Sequence, residues 1–185
     1  MFNIPTYLIE QQVLATAATT ITFDVATLVA AMNVSWTPRH LLVRVNGRSD
    51  RASTRDTTVL QFNGDTGANY NVQFVHSDTT ATAVRQSDQT EMPSTAGVAD
   101  SADANVFGGG MILIPDALST RSHKSIVALS GAVEAQSIVL AGRWASTAAI
   151  TSILLQPQVG TNFMTGSTFD LCVVDESFNH TEQII

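Results

Sequence analysis

The chain of 185 residues has one cysteine, Cys172, and one lysine, Lys124. A single thiol cannot close an internal disulfide. Charge is scarce as well: Asp, Glu, Lys and Arg together make up 14 %, against roughly 25 % in an ordinary soluble domain. The nine basic residues face sixteen acidic ones, for a formal net charge of −7. A nucleic-acid binder needs clustered cations to displace phosphate counterions, so this balance argues against one. A polybasic membrane anchor is excluded on the same ground. No apolar run approaches the length of about 20 residues that spans a bilayer. The opening stretch MFNIPTYLIEQQ has no charged region followed by an apolar one, so it does not read as a secretory signal. With 44 % hydrophobic residues there is material for a sizeable core. The polar surface must then come mostly from Thr, Ser, Asn and Gln. These features predict a soluble, weakly charged domain made in a cytosol.

What is present is period-two alternation. In His40–Asn46, Leu41, Val43 and Val45 share one face, while Leu42, Arg44 and Asn46 share the other. Thr57–Phe62 and Tyr70–Val75 read as strands on either side of Asn63-Gly64-Asp65-Thr66-Gly67, and this unit predicts a hairpin. Further short strands are expected at Leu8–Leu14, Thr20–Phe23, Ala81–Arg85, Met111–Ile114, Ser125–Leu129, Ile138–Trp144, Ile150–Leu155 and Thr168–Val174. Many short strands separated by turn signals predict an all-β antiparallel sandwich or barrel. Asp24 is a good N-cap residue ahead of Val25–Asn33, which reads as one short helix. Ser87–Asn105 is polar and acidic, with Pro93 and Gly97 as breakers, and reads as a long surface loop. Gly108-Gly109-Gly110 predicts a bulge or the close approach of another backbone. No repeat or linker divides the chain, so residues 1–185 form one domain, with an N-terminal arm at 1–10 and a C-terminal extension at 175–185. That extension carries Asp175, Glu176 and Glu182, no Lys or Arg, and ends in two isoleucines.

Chemistry finds little support. The four histidines and many hydroxyls include no Gly-x-Ser-x-Gly elbow. Cys172 lies in the apolar run Leu171–Val174, the setting of a small core residue rather than an activated thiol. Asn63–Asn69 offers oxygen ligands for Ca²⁺, but lacks the Asp-x-Asp-x-Asp-Gly spacing and a closing Glu, which favours a plain turn. No His/Cys pair has zinc-ligand spacing. The triple glycine precedes a strand, not the helix N-terminus that would cradle phosphate. The sequence thus predicts no catalytic residue, no metal site and no cofactor. Arg48, Arg51 and Arg55 alternate with Asp50 and Asp56. They read either as a solvated loop of local ion pairs or as an inter-subunit contact, because arginine binds carboxylates bidentately. Their natural partners would be the acidic tail or the acidic 87–105 stretch. For sugar binding, Trp36 is a freer aromatic than Tyr70 or Trp144, which read as core.

Several motifs share one order. These are Gly47-Arg48-Ser49-Asp50-Arg51-Ala52, Leu60-Gln61-Phe62-Asn63-Gly64-Asp65-Thr66-Gly67-Ala68-Asn69-Tyr70, Ile114-Pro115-Asp116 ahead of Lys124, Trp144-Ala145-Ser146-Thr147-Ala148-Ala149-Ile150-Thr151-Ser152-Ile153, and Phe163-Met164-Thr165-Gly166-Ser167-Thr168-Phe169-Asp170-Leu171. In this order, over about residues 8 to 174, the chain resembles a group of small tailed-bacteriophage virion proteins. It departs from the group in a longer Val25–Trp36 segment and in the tail beyond Val174. The resemblance implies a jelly-roll-like β-sandwich in a virion, built in the host cytoplasm. The first expectation is a non-enzymatic head decoration or cement protein on the capsid surface, a homotrimer bound to the major capsid protein. Met1–Glu10, the helical insert and Phe178–Ile185 would be its contact arms, with Phe178, Ile184 and Ile185 at the interface beside Arg48, Arg51 and Arg55. Asn63, Gly64, Asp65, Gly67, Asn69 and Tyr70 would form a structural hairpin at one end of the sandwich. The alternative is a tail- or fibre-associated module that binds host glycan through Ser87–Asn105 and Trp36. A glycan hydrolase ranks last.

Overall fold

In the computed structural model residues 6–32 and 39–174 are described. Twelve strands form two antiparallel sheets. They are β1 (Thr6–Val13), β2 (Ile21–Asp24), β3 (His40–Gly47), β4 (Arg55–Phe62), β5 (Tyr70–Ser77), β6 (Ala81–Gln89), β7 (Met92–Val98), β8 (Gly108–Ile114), β9 (Lys124–Ala132), β10 (Gln136–Trp144), β11 (Ser152–Pro157) and β12 (Thr168–Val174). The eight-stranded sheet runs β1-β12-β3-β8-β9-β10-β5-β6, and the four-stranded sheet runs β2-β11-β4-β7.

The pairing is nested. β1 pairs with β12, β2 with β11, β3 with β8, and β4 with β7, so each pair lies inside the last in sequence and the pairs alternate between sheets. This is a rolled-up hairpin, the winding of a jelly roll. Two hairpins are inserted into it: β5–β6 between β4 and β7, and β9–β10 between β8 and β11. Both join the β8 side of one sheet and double its width. The predicted all-β sandwich is therefore present, with a jelly-roll order of strands.

Alternating residues fill the space between the sheets. Leu41, Val43 and Val45 of β3, Phe169, Leu171 and Val173 of β12, and Ile112 and Ile114 of β8 meet Phe23, Leu60, Phe62, Ile153 and Leu155 from the smaller sheet. Trp144 and Tyr70 are both buried there, as their sequence context suggested. The short helix α1 spans Val25–Ala31 and starts where predicted. Asp24 caps it, accepting from the Thr27 amide at 3.0 Å and the Thr27 hydroxyl at 2.7 Å.

Three expectations change. Asn63–Asn69 does not close a hairpin. β4 belongs to the four-stranded sheet and β5 to the eight-stranded one, so the loop is an arch that carries the chain from one sheet to the other. Ser87–Asn105 is not a long surface loop. It contains the end of β6 and all of β7, whose seven residues are every one buried. Pro93 sits at a bulge where the β4 register shifts between Thr58 and Val59, the setting in which a strand tolerates proline. Of the N-terminal arm expected at 1–10, Thr6–Glu10 belongs to edge strand β1, and residues 1–5 lie outside the described residues. Trp36, Phe178, Ile184, Ile185 and the extension 175–185 lie outside the described residues.

The triple glycine explains how β7 is enclosed. A Cβ on Gly108 would lie 2.8 Å from the Ala96 carbonyl oxygen, and one on Gly110 would lie 2.6 Å from Thr95 Cγ2. Gly109 points the other way into open space. Glycine at alternate positions thus lets β8 press against β7. Ser130 of β9 then accepts the Ala96 amide at 2.7 Å, which satisfies an N–H on the outer edge of β7.

Candidate functional site

The motif loops are clamps. Within the arch, Asn63 (φ 54°) and Gly64 (φ 65°) adopt left-handed backbone. The Asn63 side chain ties the arch to the chain entering β11. It donates to the Ala149 carbonyl at 2.8 Å and accepts from the Thr151 amide at 2.7 Å and the Ser152 amide at 3.1 Å. The Asp65 carboxylate accepts from the Trp144 indole N–H (2.6 Å), the Gly67 amide (2.8 Å) and the Asn69 side-chain amide (2.9 Å). Burial raises its pKa, but these donors outweigh that effect and hold it below the ordinary 3.8. The Tyr70 hydroxyl accepts from the Phe62 amide at 2.9 Å and donates to the Asp65 carbonyl at 3.1 Å. Burial pushes the Tyr70 phenol up to about 12. Among the described residues no group of three His, Cys, Asp or Glu side chains could hold a metal ion.

The Arg48–Ala52 motif clamps the opposite loops. Arg48 is 8 % exposed. Its guanidinium donates to four carbonyls, those of Asp100 (3.0 Å), Ala102 (2.9 Å), Asp103 (2.6 Å) and Val106 (3.2 Å). The side chain expected at an inter-subunit contact is therefore turned into its own subunit, where it holds the 99–107 loop. Asp50 accepts from the Thr161 amide (2.7 Å) and from the Asn162 amide and side chain, and the Asn162 amide is the main cause of its lowered pKa. Asp56, 3 % exposed, accepts from the Ser49 hydroxyl at 2.8 Å and the Gly160 amide at 2.9 Å.

Arg51 and Arg55 are placed differently. Arg51 donates to the Arg55 carbonyl at 3.2 Å and lies 4.0 Å from Asp56, while Arg55 pairs with Asp78. Both line the mouth of a cleft of about 210 Å³ between β4 and β7 on one side and β5, β6 and β10 on the other. Phe74, His76 and Gln136 also line it, and Nδ1 of His76 is buried there with no hydrogen-bond partner. The cleft holds one carboxylate, Asp56, which is already engaged by Ser49 and Gly160. Lys124 is 1 % exposed and donates to the Ser122 carbonyl at 3.0 Å, so the one lysine is out of reach of solvent.

A second feature of the described residues is an exposed apolar face. The outer face of the eight-stranded sheet carries two in-register ladders. Val75, Val139, Leu129 and Met111 are successive neighbours in one. Val127 and Leu113 are neighbours in the next, which continues through Leu42 and Cys172 to Leu8. The six large residues of β5, β8, β9 and β10 are 37–58 % exposed. Scattered exposed aliphatics are ordinary, but here they form a contiguous row across four strands. Sequence reasoning did not single out these residues. Their signal was present in Met111-Ile112-Leu113-Ile114 and Ile138-Val139-Leu140, which are apolar at consecutive positions and so present apolar side chains to both faces of a strand.

The chain matches no family model, no curated protein and no solved structure.

Proposed function

We propose that the chain is a non-enzymatic structural protein of a tailed-bacteriophage virion, a head decoration or cement protein that binds and stabilises the major capsid shell. The observation that carries this reading is the exposed aliphatic face of the eight-stranded sheet, a broad, largely apolar surface suited to burial against other subunits. The motif resemblance to phage virion proteins supports it, and so does the use of two of these motifs, 47–52 and 60–70, as internal clamps. A rigid sandwich presenting one flat adhesive face stabilises a shell through many simultaneous contacts, so modest single affinities add as avidity. The partners are other copies of the chain and the capsid protein, in a particle assembled in the host cytoplasm.

The alternative, a tail-associated glycan binder, loses part of its proposed rim, because β7 is buried. Copy number in purified particles tests the choice. Densitometry against the major capsid protein, with imaging of the particle, should find hundreds of copies spread over the head. A few copies at the tail would overturn the decoration reading.

A further inference from the structure

The outer face is selective in charge as well as apolar. Across β5, β6, β8, β9 and β10 the one acidic residue is Asp88, in the bulged end of β6. Arg85, opposite Gln73, and Arg143, opposite Ser125, flank the ladders on the same face. An occupant would therefore combine bulky apolar groups with acids and carry no cations. Residues 175–185, DESFNHTEQII, have this composition: Phe178, Ile184 and Ile185, with Asp175, Glu176 and Glu182, and no Lys or Arg. Eleven extended residues reach roughly 36 Å. Five strand spacings separate β12 from β5, or about 24 Å. The segment is long enough to lie across the whole ladder.

We infer that the outer face is the seat for residues 175–185 of a neighbouring copy. Its Phe and two Ile lie on the aliphatic ladder, and its acids lie toward Arg85 and Arg143. This rests on the assembly reading above, since a strap given and received by each copy links subunits to one another and can close a symmetric ring or pair. It relocates the acceptor of the tail from the Arg48–Arg55 segment, where Arg48 is buried, to the opposite side of the larger sheet.

The test uses the 185-residue chain, a chain ending at Val174 and a labelled peptide of residues 175–185. Light scattering should show an oligomer for the 185-residue chain and a monomer for the shortened one, at similar melting temperatures. The peptide should bind the shortened chain saturably, and Leu129→Asp should weaken that binding at least tenfold. If the shortened chain proves unstable, Phe178→Ser with Ile185→Ser in the 185-residue chain should dissociate the oligomer equally. A shortened chain that stays oligomeric would mean that the faces pack on each other and would overturn the inference. So would a peptide that does not bind, or a monomeric 185-residue chain whose own tail covers the face. None of these readouts involves a virion, so they fail or succeed independently of the copy-number measurement.

Discussion

At Tyr70 one hydroxyl serves two backbone groups of the arch that the residue closes, the Phe62 amide and the Asp65 carbonyl. Tyr70→Phe leaves both in a buried site with no replacement. The expected loss is about 1–3 kcal/mol in urea unfolding. Ionisable groups in and beyond this arch set stability at both ends of the pH scale. The folded value of Tyr70 is raised from 10.0 to about 12. Its contribution is therefore complete below pH 10 and lost as pH rises toward about 12. Asp50, Asp65 and Asp78 have folded values below 3.8, and that of Asp78 lies at about 2 because of the Thr79 amide and Arg55. The unfolded chain binds more protons there, so stability falls as pH drops below about 4. Urea midpoints measured across both ranges check the two signs. Arg48 is held by geometry as well as by charge. A lysine ammonium cannot hold four carbonyls in the plane of a guanidinium. Arg48→Lys should thus cost about 3 kcal/mol, and limited proteolysis should then cut first within 99–107.

The strands show what was readable in the chain and what was not. Period-two alternation located β3 and β5, in which one face is buried and the other more exposed, whereas β10 and β12 were legible from their β-branched and aromatic residues, although β12 is buried on both faces. The left-handed Asn63-Gly64 turn was equally legible, since its chemistry is local. Which sheet β5 joins was not, because that choice is made by β10, about 70 residues away. β7 was missed for a related reason. Packed between β4 and the curl of β8 and β9, it needs small side chains, so Ser94, Thr95, Ala96 and Gly97 look like a polar loop. The glycines facing this strand separate two kinds of crowding. Gly108→Ala drives a methyl into the Ala96 backbone and should cost about 3 kcal/mol. Gly142→Ala meets only the flexible end of Met92 and should cost about 1 kcal/mol. Paired thermal melts of the two variants test this ordering.

For the whole molecule, the clamps and the exposed face divide the labour. Asn63, Asp65, Arg48, Asp50 and Asp56 fix the two ends of the sandwich from within, and the widened sheet presents the surface. Stability and assembly should therefore separate. Leu129→Lys or Val139→Lys, at exposed positions, should change folding stability by no more than about 0.5 kcal/mol. Both should prevent incorporation into particles. The most direct test of the central claim is the oxidation rate of Met111, 48 % exposed on that face, in the chain ending at Val174 and in purified virions. If the face is the docking surface, peroxide should convert Met111 to its sulfoxide readily in the monomeric chain ending at Val174 and at least tenfold more slowly in the particle. Equal rates in the two states would show that the face stays open to solvent in the virion and would contradict the account.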